Sequence, residues 1–516
     1  MNVRRYQKWA KSGLAIMLAG AMMVGTAASG GGMTAQAAET ESSDTVSTQK
    51  AVTSDAASLL FTEKHITSDL TLPTIGASGT TISWKSSNPS VLSNEGKVTR
   101  PKKGAADEEV TLKGTVKMGD YAKARKFAFV VLAESEMGPT KEFALDQVEL
   151  LDDYYLTAQN SDIEFLKKFD NDRLLSRFRE TAGLDTKKIA PYGGWEDGWL
   201  GGHSVGHYLT AIAQAVKATG NADLKEKSKQ LIKGLAECQN KLGTGFIFGA
   251  KIETEGYVEK QFDILEGKTT GKTWVPWYNM HKMLTGLVDT YKYTGNKQAL
   301  EVAKKLGDWI YNRVSKWDAG TQGRVLGTEY GGMNDCLYEL YLCTRDSKHL
   351  EAAHKFDEPN LYKTVAKGGK NCLNGKHANT TIPKFLGALK RYVVLEQTGE
   401  LTKDDEAYLT NVEKFFDIAV TRHAYITGGV SVMEHFRKDN NQDGTRTQTN
   451  CESCCAHNML KMAKELYKVT GDKKYADYYE TTLRNSIMGA VKSESGAAAY
   501  FIPMATGYFK TFGNED

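Results

Sequence analysis

Two kinds of hydrophobic spacing divide the chain. Between about residues 54 and 135 apolar positions alternate in short runs, as in "TISWKSSNPSVLSNEGKVTRP", "EEVTLKGTVKMG" and "KARKFAFVVLAE", with turn signals at Ser86–Pro89 and Asn94–Gly96. A period of two, rich in β-branched residues and broken by Gly, Asn and Pro, predicts short strands that pack as a small all-β sandwich. From Leu145 onward the spacing becomes helical. A phrase then repeats: an apolar helix end, a Thr-Gly-polar turn and a second amphipathic helix. It reads "VKATGNADL", "YKYTGNKQAL", "LEQTGEL" and "YKVTGDKKYADYY", with "LCTRDSKHL" as a degenerate copy. The copies recur roughly every 50–75 residues, the self-similarity of repeated helical hairpins. The glycine suits the left-handed position after a helix, where a Cβ is penalised. The fold class predicted is mainly α: an (α/α)6 barrel over residues 140–516, its inner-helix ends around one cleft, preceded by the small β-sandwich.

The N-terminus changes the picture of where this chain works. "MNVRRYQKWAKSG" is basic, "LAIMLAGAMMVG" is apolar and "MTAQAAE" ends in small residues, the three parts of a secretory signal peptide over residues 1–38, cut after Ala37 or Ala38. The apolar run falls short of the about 20 residues of a bilayer span, and no second one follows. Residues 39–53, rich in Ser, Thr and acids, read as a flexible linker. The expected product is exported, secreted or held at the cell surface, with no membrane span in the mature chain. Lys and Arg (66) nearly balance Asp and Glu (63) and form no basic block, which argues against nucleic acid as a partner. Seven cysteines in an exported chain of 516 residues are too few for a dense disulfide framework.

The unusual polar residues precede the apolar helices. "GGWEDGWLGGHSVGHYLTA" carries Trp195, Glu196, Trp199, His203 and His207. The two histidines are four apart and share a helical face; the glutamate of a zinc-protease H-E-x-x-H motif is absent, so sugar hydrogen bonding or helix packing competes with metal binding. "PWYNMHKMLTGL" offers Trp277, Tyr278 and His281, "EYGGMNDCLYELY" offers Asn334 and Asp335, and "KHANTTIPKFLG" offers His377 and Asn379. Such loops at one position in successive hairpins point to a shared site. In "HAYITGGVSVMEHFRKDN", Glu434 follows a Gly428–Gly429 turn; apolar surroundings are expected to raise its pKa, as a general acid requires. "NCESCCAHNML" crowds Cys451, Glu452, Cys454 and Cys455 at the start of a helix, as a disulfide staple, a metal site or part of a catalytic centre.

Taken in order, "GGW…GGHSVGHYL", "YNMHK", "EYGGMND", "HANTTIPK", "TGGVSVMEHF", "ESCCAHNMLK" and "YADYYETTLRNSI" resemble the β-L-arabinofuranosidase group of glycoside hydrolases, family 127 and its relatives, from Glu142 to the end. The W-K-S-S-N-P-x-V-L and G-K-V-T-R-P segments resemble bacterial immunoglobulin-like modules of secreted glycan-active enzymes. The first resemblance implies retaining removal of terminal β-L-arabinofuranosyl groups from arabinose-containing oligo- or polysaccharides by a zinc-bound cysteine. It makes Glu434 the general acid/base, Glu452 and Cys454 two ligands of Zn2+ in an E-x-C pattern, and His203, His207, His281 and His377 lining of the sugar pocket. The family's other two zinc ligands are an adjacent Cys-Cys pair beyond a segment that reads "TGYFKTFGNED" here, at the end of the sequence, so a C-terminally truncated chain with an incomplete zinc site is expected. Cys451 and Cys455 depart from the family pattern; a Cys451–Cys454 disulfide and Cys455 as a substitute nucleophile stay open. So do two other functions, a carboxylate glycosidase or polysaccharide lyase on the same barrel, and a non-catalytic glycan-binding surface protein.

Overall fold

The structure is a computed structural model that describes residues 40–61, 64–66, 69–102, 105–131, 142–250, 257–492 and 494–513. The expected signal peptide and the last three residues lie outside the described residues. Two compact units divide the chain.

In the N-terminal unit, helix α1 (Thr40–Ser58) precedes strands β1 (His65–Ile66), β2 (Thr81–Ser86), β3 (Glu108–Met118) and β4 (Tyr121–Val131). They form one sheet in the order β1-β4-β3-β2, parallel between β1 and β4 and antiparallel elsewhere. Val110, Leu112 and Val116 of β3 are buried, while Lys113 and Lys117 beside them are exposed, so the alternation read from the sequence marks one covered face. A second named sheet is absent among the described residues; α1 takes its place. Val52, Ala56 and Leu59 of this segment pack on Ile82 and Val116. Buried Asp55 accepts hydrogen bonds from the Ser78 backbone N–H and hydroxyl and from the Thr80 hydroxyl. Residues 40–53, expected as linker, are thus part of a helix. Their composition hid it, because its few apolar positions stand among Ser, Thr and acids.

The second unit is built of helical hairpins: α2 (Asp153–Lys167) with α3 (Asn171–Thr181), α4 (His203–Thr219) with α5 (Ala222–Leu242), then a short α6 (Lys260–Leu265). Next come α7 (Pro276–Thr294) with α8 (Lys297–Val314), a short α9 (Ala319–Leu326), α10 (Met333–Thr344) with α11 (Ser347–His354) and a short α12 (Pro359–Ala366). The last pairs are α13 (Ala378–Thr398) with α14 (Glu406–His423) and α15 (Ser453–Thr470) with α16 (Lys473–Thr482). This is the six-hairpin (α/α) barrel expected. Each repeated phrase is a hairpin turn: Gly220, Gly295, Gly399 and Gly471 have φ of 69°, 71°, 75° and 67°, and Arg345 takes φ 56° in the degenerate copy. The next residue or two caps the following helix, Asn221, Asn296, Asp346 and Asp472 each accepting a backbone N–H.

Facing helices α4, α7, α10, α13 and α15 are tied by polar contacts. Thr210 donates to Asp289 (2.9 Å), Lys292 and Lys390 both pair with Glu339 (2.6 and 2.5 Å), Lys461 pairs with Asp335 (3.2 Å) and Asn458 donates to Asn379 (3.1 Å). Closest of all are α4 and α7. A Cβ on Gly206 would stand 2.1 Å from the Lys282 carbonyl oxygen, and one on Gly286 would stand 2.5 Å from that of Gly206. No helix of the described residues is long and apolar enough to cross a membrane.

Candidate active site

The loop between α14 and α15 presents Glu434 in a backbone conformation that L-residues avoid: Met433 has φ 45° and Glu434 φ 63°. Hydrogen bonds hold it there. The Met433 N–H donates to Thr449 O, and the Glu434 carbonyl accepts from the Ala378 N–H at the start of α13. His377, one residue earlier, accepts the Thr380 N–H at Nδ1 (3.1 Å), which leaves Nε2 to donate to Glu434 Oε2 at 3.0 Å. Tyr500 donates its phenol proton to Glu434 Oε1 at 2.6 Å. With two donors on it, Glu434 is held below the usual carboxylate range: the His377 hydrogen bond leads, and half-burial opposes it. The expected rise is therefore absent, because polar donors rather than apolar groups surround the carboxyl. His377 is pushed down by burial, but the bond to Glu434 and the charges of Glu329, Glu434 and Glu452 more than offset this, so its pKa is raised.

Glu452 lies at the N-cap of α15 and is fully buried. Its N–H donates to the Ser431 hydroxyl, Cys455 Sγ donates to its Oε2 at 3.1 Å, and its Oε1 lies 3.1 Å from the Tyr500 oxygen. Burial raises its pKa. The Tyr500 phenol stands between the two carboxyls, 2.6 Å from Glu434 Oε1 and 3.1 Å from Glu452 Oε1. The site thus holds two carboxyls whose pKa values are pushed apart, the arrangement acid–base chemistry uses. Cys454 is half-buried beside Glu452, and burial pushes its thiol well above the usual range.

All seven cysteines are free thiols, so no disulfide joins Cys451 to Cys454. Cys451, at φ 51°, turns instead into an apolar cluster with Ala490, Ala499 and Ile502. A buried carboxyl and a buried thiol side by side, each costly to ionise, have the donor chemistry of a zinc site. They supply two ligands of the three or four such a site uses. Among the described residues no third His, Cys, Asp or Glu converges with both of them. The trio that does converge, Asp308, Asp346 and His349, stands between α8 and α11.

The other histidines divide. His203 and His207 begin α4 with rings 6.0 Å apart, and the His203 ring is 6.0 Å from that of Tyr278 on α7. His203 Nδ1 lies 2.8 Å from buried Glu196, whose carboxylate also accepts the Gly202 and Ser204 N–H groups and so caps α4. His207 is exposed to solvent along the cleft, where partial desolvation, then the charges of Lys282, His203, His457 and Lys461, holds its imidazole below the usual range. His281 is buried, its Nδ1 accepting the Gly332 N–H at 2.9 Å. Sequence reasoning missed Tyr500, a lone tyrosine in "GAAAYFIP" with no flanking pattern. It also passed over Lys282 and Glu329, which stand inside quoted motifs, and His457, one turn beyond Cys454.

Comparison with known proteins meets this geometry. The profile of the β-L-arabinofuranosidase GH127 catalytic domain matches residues 147–514, and that of the atrophied bacterial Ig domain matches residues 43–134. A solved GH127 β-arabinofuranosidase aligns with TM-score 0.51 and 18% identity over 70% of this chain and 56% of its own. A GH127 β-L-arabinofuranosidase from Geobacillus stearothermophilus T6 aligns with TM-score 0.48 and 16% identity over the same shares. The chain therefore spans just over half the length of these solved relatives. A search of curated proteins finds no match. By the family profile that covers most of its length, the chain belongs to the GH127 family of glycoside hydrolases, with an atrophied bacterial immunoglobulin-like domain before the catalytic domain.

Proposed function

We propose that the protein is an exported glycoside hydrolase that removes terminal β-L-arabinofuranosyl groups from plant-type glycans with retention of configuration. The observation that carries this reading is the hydrogen-bonded run His377–Glu434–Tyr500–Glu452 at the N-terminal ends of α13 and α15. Glu434 is the acid/base: protonated, it gives its proton to the departing glycosidic oxygen as a cysteine thiolate of the protein bonds to the anomeric carbon, and as carboxylate it then takes a proton from the water that displaces that thiolate. His377 and Tyr500 orient it, each through one oxygen. Glu452 and Cys454 are the residues that would hold Zn2+, which when bound supplies thiolate character at neutral pH. His203, His207, His281 and His377 line the sugar pocket.

Release of the aglycone from an aryl β-L-arabinofuranoside by the full-length protein tests this, with and without a chelator. Glu434→Gln is expected to cut kcat by at least about 100-fold, and Cys454→Ser or chelation to abolish turnover. A second reading has its own observation, since Glu434 and Glu452 both reach one phenol oxygen: a metal-free glycosidase with Glu452 as carboxylate nucleophile. Turnover that survives both chelation and Cys454→Ser, but not Glu452→Gln, would establish that reading instead.

A further inference from the structure

Lys282 is one residue past His281 on α7 and only 8% exposed. Its Nζ lies 4.6 Å from the centroid of the Tyr278 ring, so one side of the ammonium rests on an aromatic face. Among the described residues it makes no hydrogen bond and no ion pair. Its neighbour Lys461 differs in this respect, being paired with Asp335 at 3.2 Å. A side chain this deeply buried, whose ammonium meets no protein acceptor among the described residues, is placed to receive one that a ligand brings with it. The place is the site already described: Tyr278 faces His203 at 6.0 Å, and the charges of Cys454, Lys461 and Glu329 act on Lys282.

Glu329 is the complementary group. It is half-buried, just before the Gly331–Gly332 turn that packs on His281, and it too makes no hydrogen bond or ion pair among the described residues. The turn it leads into lies against His281, the neighbour of Lys282 on α7, which sets it beside the same site; its charge also acts on Tyr278, Lys282 and His377. A ligand that satisfies both groups must offer an acceptor to Lys282 and a donor to Glu329. A pair of sugar hydroxyls does both. An anionic sugar would satisfy Lys282 but meet the carboxyls of Glu329, Glu434 and Glu452. A wholly apolar ligand would leave both groups unpaired.

We propose that Lys282 and Glu329 form a clamp that selects a neutral terminal sugar through two of its hydroxyl groups, the ammonium donating to one oxygen and the carboxylate accepting from the other. The clamp rests on the glycosidase reading for its place in the site, and adds to it the residues that set which sugars enter.

The test is a saturation-transfer NMR titration of the protein with L-arabinose and with D-galacturonate, beside Lys282→Met, Lys282→Arg and Glu329→Gln, with thermal melts to check folding. Loss of one charged hydrogen bond to a sugar should weaken L-arabinose binding by roughly 10- to 100-fold in Lys282→Met, with partial recovery in Lys282→Arg. Glu329→Gln should weaken L-arabinose and strengthen D-galacturonate, so that the ratio of the two affinities moves, which a merely structural role would not cause. L-arabinose binding unchanged in both Lys282→Met and Glu329→Gln overturns the clamp and leaves the hydrolase reading standing. Should the unaltered protein bind neither sugar, the clamp is overturned, and the aryl-arabinofuranoside assay then decides the hydrolase reading by itself.

Discussion

Glu434 is a carboxylate with two donors on it, and a general acid must hold a proton. The bond from His377 is the leading reason its pKa is low, so removing that bond should let it rise. Asn at position 377 keeps an oxygen able to accept the Thr380 N–H, as His377 Nδ1 does, but is too short to reach Glu434. In His377→Asn the Glu434 titration, followed by carboxyl carbon NMR, should move up toward the ordinary value of about 4.3. The basic limb of the activity profile, which reports loss of the acid's proton, should move the same way. A midpoint that stays put would remove His377 from this role. The sequence pointed to His377 because it stands before an apolar helix, to Glu434 because it follows a Gly-Gly turn, and to Glu452 and Cys454 because thiols are crowded there. Tyr500 was hidden: its partners are 66 and 48 residues away, and no local spacing marks a contact that tertiary folding alone creates. The pKa of Glu434 was misjudged for the same reason, since its donors come from α13 and from the C-terminal segment.

Helix stops and starts were the most legible feature. Thr-Gly-Asn and Thr-Gly-Asp join a left-handed C-cap to the N-cap of the next helix, and both halves act through local backbone geometry. A Cβ at Gly295 would meet nothing within 4 Å, though φ is +71°. Gly295→Ala should therefore cost only the conformational penalty, about 1 kcal/mol by denaturant unfolding. Gly206→Ala should cost far more, or prevent folding, because a methyl there would stand 2.1 Å from a backbone oxygen of α7. Similar losses at the two positions would contradict this packing. The linker expected over residues 39–53 shows the opposite limit of legibility. Polar composition masked a helix held by a few apolar contacts and by one buried aspartate.

Across the whole catalytic unit, burial holds His281, His349, His354 and His423 below the usual imidazole range, His354 at about 4. Each takes up a proton on unfolding once the pH falls below about 6.5, the unfolded value. The stability they contribute is complete above that pH and is lost as pH falls toward their folded values, at up to about 1.4 kcal/mol per pH unit for each. His377, raised by its carboxylate neighbours, works in the opposite direction but is one against four. The melting temperature should be level near pH 7–8 and fall steadily between about pH 6.5 and 4. A flat profile through that window, measured by calorimetry, would show that these imidazoles are not held neutral.

The contact between Gly206 on α4 and Gly286 on α7 bears on how such a site can diversify. Neither position has room for a methyl group, and Lys282 and His207 are carried on the same two turns. A descendant of this protein that comes to prefer a different glycan has little freedom to resize that helix pair. Its new preferences would have to be written in the connecting loops, where Trp195, Trp274 and Met433 already stand exposed.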